Sequence, residues 1–147
     1  MSIRLAAAVL AAASLAHLAG CRSGESGPPS SPSDPAALIG RTWTLSTMDG
    51  KPLVANTTIT AEFTADGRVA GRSGCNSYGG SAKAASGRLT VGDLASTLMA
   101  CQGDGVMEQE SRYLAAIRAA TAYAVANGEL RLGPSATAAS LVFGSRD

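Results

Sequence analysis

A glycine-rich stretch near the centre of the chain limits most strongly what this sequence can fold into: Gly71-Arg72-Ser73-Gly74-Cys75-Asn76-Ser77-Tyr78-Gly79-Gly80. Glycine is used where φ is positive or where backbones approach closely, so four glycines in ten residues do not suit an ordinary strand or helix. Strand-forming residues, Val69 and Tyr78, lie at its two sides. The stretch therefore predicts a tight corner between two strands, in which the Asn76 side chain satisfies backbone groups.

The N-terminus has the pattern of an export signal. A short positive start, Met1–Arg4, precedes an apolar run, Leu5–Ala16, that is too short for a comfortable membrane span and is typical of a secretory leader. The run ends in Leu18-Ala19-Gly20-Cys21, which resembles the lipobox of bacterial lipoproteins. In that class the leader is cut before the cysteine, whose thiol carries a diacylglyceryl group. An ordinary secreted protein is the alternative.

We therefore expect residues 1–20 to be a lipoprotein signal peptide and Cys21 to be lipidated. The protein would be exported and anchored to the outer face of the cell membrane, or to the outer membrane if the source has two. Residues 21–36 are rich in Ser, Gly and Pro, and this composition predicts a disordered tether. The globular domain is then expected to span residues 37–147.

Charge and cysteine content narrow the class of protein. The chain has 12 Lys and Arg against 11 Asp and Glu, and loss of Arg4 with the leader leaves 11 against 11. With no basic stripe, the sequence favours no nucleic-acid partner. If Cys21 carries lipid, Cys75 and Cys101 remain as an even pair in an oxidising compartment and are expected to form a structural disulfide. A functional thiol at Cys75 is the alternative.

The residue types present predict no reaction. The one histidine, His17, lies in the leader, so the mature chain would have no imidazole for a catalytic triad or a zinc site. Asp104, Glu108 and Glu110 lie close together at a predicted helix start, where the helix dipole favours acids, and they lack the spacing of a calcium loop. We expect no catalytic residues, no metal and no cofactor.

Alternation of apolar and polar residues predicts short strands, as in Thr58–Thr64, and Asp66-Gly67 and Asn127-Gly128 predict hairpin turns. One helical pattern begins at Val106 and ends near Thr121. The sum is about eight antiparallel strands curled into an open barrel-like sheet, with one helix inserted before the last three strands. The predicted inward residues are Trp43, Leu45, Ile59, Phe63, Val69, Leu89, Leu114, Ile117, Leu130, Leu132, Leu141 and Phe143.

The globular part resembles the META domain, the family that includes the heat-shock protein HslJ. The motifs that carry the resemblance are Gly40-x-x-Trp43-x-Leu45, Gly71-x-Ser73-Gly74-Cys75-Asn76-x-Tyr78-x-Gly80, Thr97-x-Met99-x-Cys101, Glu110-x-x-Tyr113-Leu114, and Tyr123-x-Val125 followed by Leu130-x-Leu132. The resemblance implies a mainly antiparallel, barrel-like fold with a helix and a link to the cell envelope and stress. It implies no particular reaction.

Two hypotheses on function follow. The first is a non-enzymatic, membrane-anchored binding or assembly-support module with a protein partner in the envelope. The second is a carrier that holds a small apolar ligand inside the barrel. A cavity within the barrel would favour the carrier, whereas a filled interior with an exposed apolar patch would favour a protein partner.

Overall fold

A computed structural model describes residues 31–135 and 137–146. Predictions for the leader and for Cys21 therefore lie outside the described residues. Within the described ranges, none of the helices has the length and apolar character needed to cross a membrane. The elements in chain order are α1 Pro35–Leu38, β1 Thr42–Met48, β2 Lys51–Pro52, β3 Thr58–Phe63, β4 Arg68–Gly74, β5 Ser77–Ala85, β6 Arg88–Ser96, α2 Val106–Ala119, β7 Ala122–Ala126, β8 Glu129–Gly133 and β9 Leu141–Arg146.

The strands form one antiparallel sheet that closes on itself. Their order is β2-β1-β3-β4-β5-β6-β7-β8-β9, and β9 also pairs with β1 along Leu45↔Phe143 and Met48↔Leu141. Because β2 pairs only with β1, the other eight strands make the barrel. The predicted mainly antiparallel barrel with a helix before its last three strands is confirmed. The barrel is closed rather than open, which removes two exposed sheet edges.

The barrel interior is filled by large side chains. Trp43, Tyr113, Tyr123 and Phe143 are fully buried together with the aliphatic residues of facing strands. All the residues predicted to point inward are buried except Leu114, which is only partly buried and packs at the edge of the core. Truncating such core side chains typically costs about 2–5 kcal/mol of unfolding free energy.

The longer helix, α2, packs against β4, β6 and β8 and so covers one end of the barrel. It follows Gly105, whose φ of 78° is left-handed and suits glycine. Tyr113 and Ile117 are fully buried and belong to the barrel core, whereas Val106 is buried outside that core cluster. Ala120, in extended conformation, ends the helix before the predicted Thr121.

Residues 31–38 form a strap at the other end of the barrel. The Val125 amide donates to the carbonyl of Pro32, and the Gly87 amide and the Tyr123 hydroxyl both donate to the carbonyl of Ser33. Ala37 and Leu38 are buried. The prediction of a disordered tether through Ala36 is thus wrong for residues 31–36, because backbone carbonyls supply contacts that a Ser- and Pro-rich composition does not reveal.

The strap and the Cys75–Asn76 turn lie at opposite ends of the barrel, as strand β3 shows. At one end of β3, Thr58 pairs with Gly74 beside the turn, and at the other end Phe63 forms a bridge with Ile39 next to the strap. We call these the disulfide end and the strap end.

The glycine-rich stretch is mostly strand, which corrects the prediction of a ten-residue corner. Only Cys75 and Asn76 lie between β4 and β5. A Cβ on Gly71 would collide with the carbonyl oxygen of Thr60, and one on Gly80 would collide with that of Asp93. These glycines permit close approach of neighbouring strands. Gly74 has a φ of 111° and permits the turn itself.

Candidate interaction site around Glu110 and the Cys75–Cys101 disulfide

A disulfide joins the turn between β4 and β5 to the segment that precedes α2. Cys75 and Cys101 are bonded, with their Cα atoms 5.8 Å apart and 26 positions apart in sequence. The cysteine count predicts this pair. On the chain-entropy model, closing a loop of about this length stabilises the fold by roughly 3.5 kcal/mol.

Glu110 on α2 organises the turn from the other side. One of its carboxylate oxygens, Oε2, accepts hydrogen bonds from Ser73 Oγ at 2.7 Å and from the amides of Asn76 at 2.8 Å and Cys75 at 3.3 Å. The other, Oε1, accepts from Asn76 Nδ2 at 2.7 Å. The carboxylate is buried, and these donors replace the water it would lose.

These hydrogen bonds set the protonation of Glu110. Burial by itself would raise the pKa of the carboxyl group, but the hydrogen bonds from the Asn76 amide, Ser73 Oγ, Asn76 Nδ2 and the Cys75 amide together lower it below its ordinary value. Glu110 is therefore ionised at neutral pH. An ionised acceptor surrounded by donors is a structural anchor rather than a general acid.

Asn76 extends the same network to the segment after β6. Its Oδ1 accepts from Thr97 Oγ1 at 2.7 Å and from the Met99 amide at 2.8 Å, and its Nδ2 donates to the Met99 carbonyl at 3.1 Å. The prediction that this side chain satisfies backbone groups identifies its role, although those groups lie more than twenty positions away. The segment of residues 97–101 is thereby fixed by three hydrogen bonds with Asn76 and by the disulfide at Cys101.

The neighbouring residue on α2, Gln109, fixes a third segment. Its Oε1 accepts from the Val54 amide at 2.6 Å, and its Nε2 donates to Thr57 Oγ1 at 2.9 Å. Gln109 is fully buried. The first turns of α2 thus hold the loop before β3 as well as the turn and the segment after β6.

A tyrosine pair lies beneath this network. The hydroxyls of Tyr78 and Tyr113 are 2.6 Å apart, and Tyr78 also donates to the Thr60 carbonyl at 3.0 Å. Burial raises the pKa of both phenols, so both stay neutral at physiological pH. Tyr78 is buried and belongs to the core.

The fixed segment presents apolar side chains to solvent. Leu98 is 97% exposed, Met99 57% and Met107 37%, and these are the large hydrophobic residues with high exposure among those described. They border a shallow groove between residues 96–100 and one face of α2, where Ser111 and Leu114 complete the wall. We call Leu98, Met99 and Met107 the apolar patch.

Neither a metal site nor a cluster of cooperating carboxylates is supported in the described part of the chain. It contains no group of three or more His, Cys, Asp or Glu side chains placed to hold a metal ion. Asp104 and Glu108, which the sequence places with Glu110, are exposed, while Glu110 turns inward. The three carboxylates therefore do not act together.

The sequence pattern identifies Cys75, Cys101, Asn76 and the glycines as residues of this site. It does not assign a partner to Glu110, and it gives no role to Gln109. One feature of the sequence could have indicated both buried residues. Gln109 and Glu110 are polar residues at positions that lean toward the apolar face of α2, and polar side chains on a buried face require partners.

Comparison with solved structures shows the same fold. An NMR structure of a protein from Burkholderia xenovorans is 26% identical, with a TM-score of 0.61 over 86% of this chain and 97% of that chain. A second NMR structure, at 22% identity, has a TM-score of 0.60 over 76% of this chain and 93% of its own. A comparison with curated proteins gave no match.

The family assignment comes from the sequence of the barrel. The model of the META domain matches residues 36–147, which include every strand, the disulfide and the Glu110 network. The chain belongs to the META domain family.

Proposed function

We propose that this protein is a lipid-anchored bacterial envelope protein whose META domain binds another protein through the apolar patch and catalyses no reaction. The observation that carries the proposal is the combination of a filled barrel with an exposed apolar patch held in place by Glu110, Asn76 and the disulfide. Exposed apolar side chains that cluster on a rigid surface mark interaction sites.

Rigidity distinguishes the patch from an ordinary surface loop. Met99 is held through both its amide and its carbonyl, and Cys101 is bonded to Cys75. A segment that is ordered before binding loses less conformational entropy on association. The buried carboxylate and the disulfide are thus well explained as supports for a binding surface.

The carrier hypothesis has weaker support. It requires space inside the barrel, but the inward-pointing side chains, among them Trp43, Tyr123 and Phe143, fill the interior. The groove beside the apolar patch lies at the surface and is open to solvent. A small ligand held there would remain largely in contact with water.

Export and anchoring rest on the sequence pattern that ends at Cys21. The disulfide agrees with an oxidising compartment, where such bonds persist. A link to envelope stress follows from the family alone and belongs to the same proposal. Non-enzymatic action is supported by the structural role of Glu110, whose lowered pKa does not suit proton transfer near neutrality.

Anchoring is tested by fractionation of cells that produce residues 1–147 or the Cys21→Ser variant of the same chain. We expect the parent protein in the membrane fraction and the variant in the soluble fraction or unprocessed. Mass spectrometry of the mature protein should find a diacylglyceryl group on Cys21. An unmodified Cys21 would overturn the anchor.

Binding is tested by photo-crosslinking in intact cells. Benzoylphenylalanine at position 98 should give a defined protein adduct, and the same probe at the exposed Lys83 on β5 should not. Equal adducts at both positions, or none at 98, would contradict a protein-binding patch. Native mass spectrometry of the purified chain addresses the carrier hypothesis, which predicts a co-purified apolar small molecule.

A further inference from the structure

We propose that β6 and α2 form a site for an extended segment of the partner protein, which would add as a strand to the free edge of β6. The inference rests on the proposed function and names the chemistry of the partner. It explains why the barrel leaves one strand edge unpaired at the disulfide end beside the apolar patch.

The free edge follows from the strand pairing. β6 pairs with β5 along its length, from Arg88 to Ser96, but pairs with β7 only at Arg88 and Ala122. The Leu89 amide reaches Thr121 just beyond that point. From Val91 to Ser96, the side of β6 that faces away from β5 has no strand partner among the described residues.

Alternate backbone groups along this edge lack a strand partner among the described residues. The Thr97 amide donates to the Ser77 carbonyl on the β5 side. Because successive residues of a strand direct their backbone groups to opposite sides, the amides of Ser96 and Leu94 point to the free side. An added strand would bond to these groups, which is the recurring mode of recognition at exposed sheet edges.

The surroundings of the edge suit apolar side chains. Ser96 begins the groove whose walls are the apolar patch and the side chains of α2 at Ser111 and Leu114. Alternate residues of an extended segment on β6 would point toward this groove, while the others would point to solvent. The site therefore selects a strand with apolar residues at alternating positions.

The chain's own N-terminal residues and the anchoring membrane are poor occupants of the site. The chain outside the structure joins the barrel at Ser31, at the strap end, whereas the apolar patch lies at the disulfide end. Residues 22–30, Arg-Ser-Gly-Glu-Ser-Gly-Pro-Pro-Ser, contain no large apolar side chain and two prolines that cannot donate. A chain anchored at Cys21 would join the barrel at the strap end, opposite the apolar patch.

A second copy of the chain is disfavoured by charge. Asp93 is the one charged residue of Val91–Ser96 and is exposed. Antiparallel pairing of two copies along this segment would bring the two Asp93 side chains within one residue of each other, which is unfavourable for like charges. The same residue favours a Lys or Arg on the partner strand.

The test applies hydrogen–deuterium exchange to the chain as cells process it from residues 1–147, reconstituted in lipid nanodiscs. The probe is a ten-residue peptide of alternating valine and threonine with one central lysine. We expect saturating peptide to slow exchange at the amides of Leu94 and Ser96 by at least about tenfold, since a strand bond protects these groups. A peptide with N-methylated backbone at alternate positions cannot pair and should leave exchange unchanged.

Matched variants test the side-chain contacts. Leu98→Asp should weaken peptide binding at least about tenfold, whereas Thr90→Asp, at an exposed position of β6 away from the groove, should not. Replacing the peptide lysine by glutamate should weaken binding by about two- to fivefold, and Asp93→Asn should abolish that difference. Unfolding measurements on each variant exclude loss of the fold.

Each other outcome overturns the proposal. No slowing at Leu94 and Ser96, or equal slowing by the N-methylated peptide, would show that the edge does not pair. Slowing without peptide that grows with protein concentration would assign the edge to a second copy, and slowing by nanodisc lipid would assign it to the membrane. If crosslinking at position 98 succeeds while the peptide has no effect, binding through the patch stands and the strand-addition inference falls.

Discussion

At the scale of single residues, the buried carboxylate of Glu110 orders the disulfide end of the barrel through four hydrogen bonds. Glu110 accepts hydrogen bonds from both side chains and backbone amides of the turn, and burial makes those bonds stronger than they would be in water. Removing the charge leaves several donors without a full partner. The cost is therefore expected to exceed that of an average surface substitution.

Glu110→Gln should lower the free energy of unfolding by about 2–3 kcal/mol, because an amide cannot accept from all four donors. Glu108→Gln on the exposed face of the same helix is the matched control and should change stability by less than about 1 kcal/mol. Urea unfolding measures both. Equal effects of the two substitutions would mean that the Glu110 network adds little.

The lowered pKa of Glu110 also predicts a pH dependence. A carboxyl whose folded-state pKa lies below its ordinary value of 4.5 binds fewer protons when folded, so its contribution is fully present above that pH and is lost as pH falls through the folded pKa. The stability difference between the parent chain and Glu110→Gln should thus be constant from pH 6 to 8 and shrink below pH 4.5. A difference that grows on acidification would contradict this sign.

Gly71 and Gly79 form a second matched pair. Gly71→Ala should destabilise the chain by about 1–3 kcal/mol, because the new Cβ would collide with the Thr60 carbonyl. Gly79→Ala meets only ordinary contacts with Val69 and Ala70 and should be neutral or slightly stabilising. Thermal unfolding measures both variants. A loss of stability at Gly71 alone would show that the close approach of strands requires glycine there, whereas equal losses would show that a side chain at any glycine of residues 71–80 is destabilising.

These residues also show what sequence can and cannot predict. The cysteine pair follows from counting, and the alternation in Thr58–Thr64 identifies both the strand and its inward face. The partner of Glu110 does not follow, because its donors lie about thirty-five positions earlier and meet it only after the barrel has closed. The four glycines are visible, but composition does not distinguish a turn from strands that touch.

At the scale of elements, α2 acts as a clamp as well as a cover. Its adjacent residues Gln109 and Glu110 hold the loop before β3 and the turn after β4, and through Asn76 the segment after β6. The helical period predicts its apolar face correctly at Ile117. It misplaces Leu114, which borders the groove, because residues next to each other on a helix can lie on either side of a boundary.

Removal of the Cys75–Cys101 disulfide tests whether the hydrogen bonds of Asn76 order the segment after β6 without it. Cys75→Ala/Cys101→Ala should lower the free energy of unfolding by about 2–4 kcal/mol, because the loop between them is no longer closed in the unfolded chain. Hydrogen exchange at the Met99 amide should remain slow, since Asn76 still holds it. Fast exchange there would show that the disulfide, rather than Asn76, orders the segment.

At the scale of the whole molecule, the barrel places the strap and the apolar patch at opposite ends. The strap end receives the chain from the proposed anchor through Pro32 and Ser33, and the disulfide end carries the apolar patch. Closure of the barrel was not predicted, because β1 and β9 are far apart in sequence and their alternation does not say which strand each one meets. The barrel closes because β1 pairs with β9, with Leu45 opposite Phe143 and Met48 opposite Leu141.

The filled interior makes a direct prediction for the whole fold. Phe63→Ala or Ile117→Ala should each cost about 2–5 kcal/mol, because each removes a buried side chain from a closed core. Urea unfolding measures the change in the free energy of unfolding. A change below about 1 kcal/mol at both positions would mean that the interior is loosely packed, as the carrier hypothesis requires.

The most direct test of the central claim separates binding from stability at the apolar patch. Benzoylphenylalanine at position 107 reports capture of the partner in intact cells, and Leu98→Ser in the same chain removes the most exposed apolar side chain. We predict at least a tenfold loss of the adduct while the free energy of unfolding stays within about 0.5 kcal/mol, as is usual for exposed positions. Undiminished capture with Leu98→Ser would contradict the assignment of the patch as the binding surface.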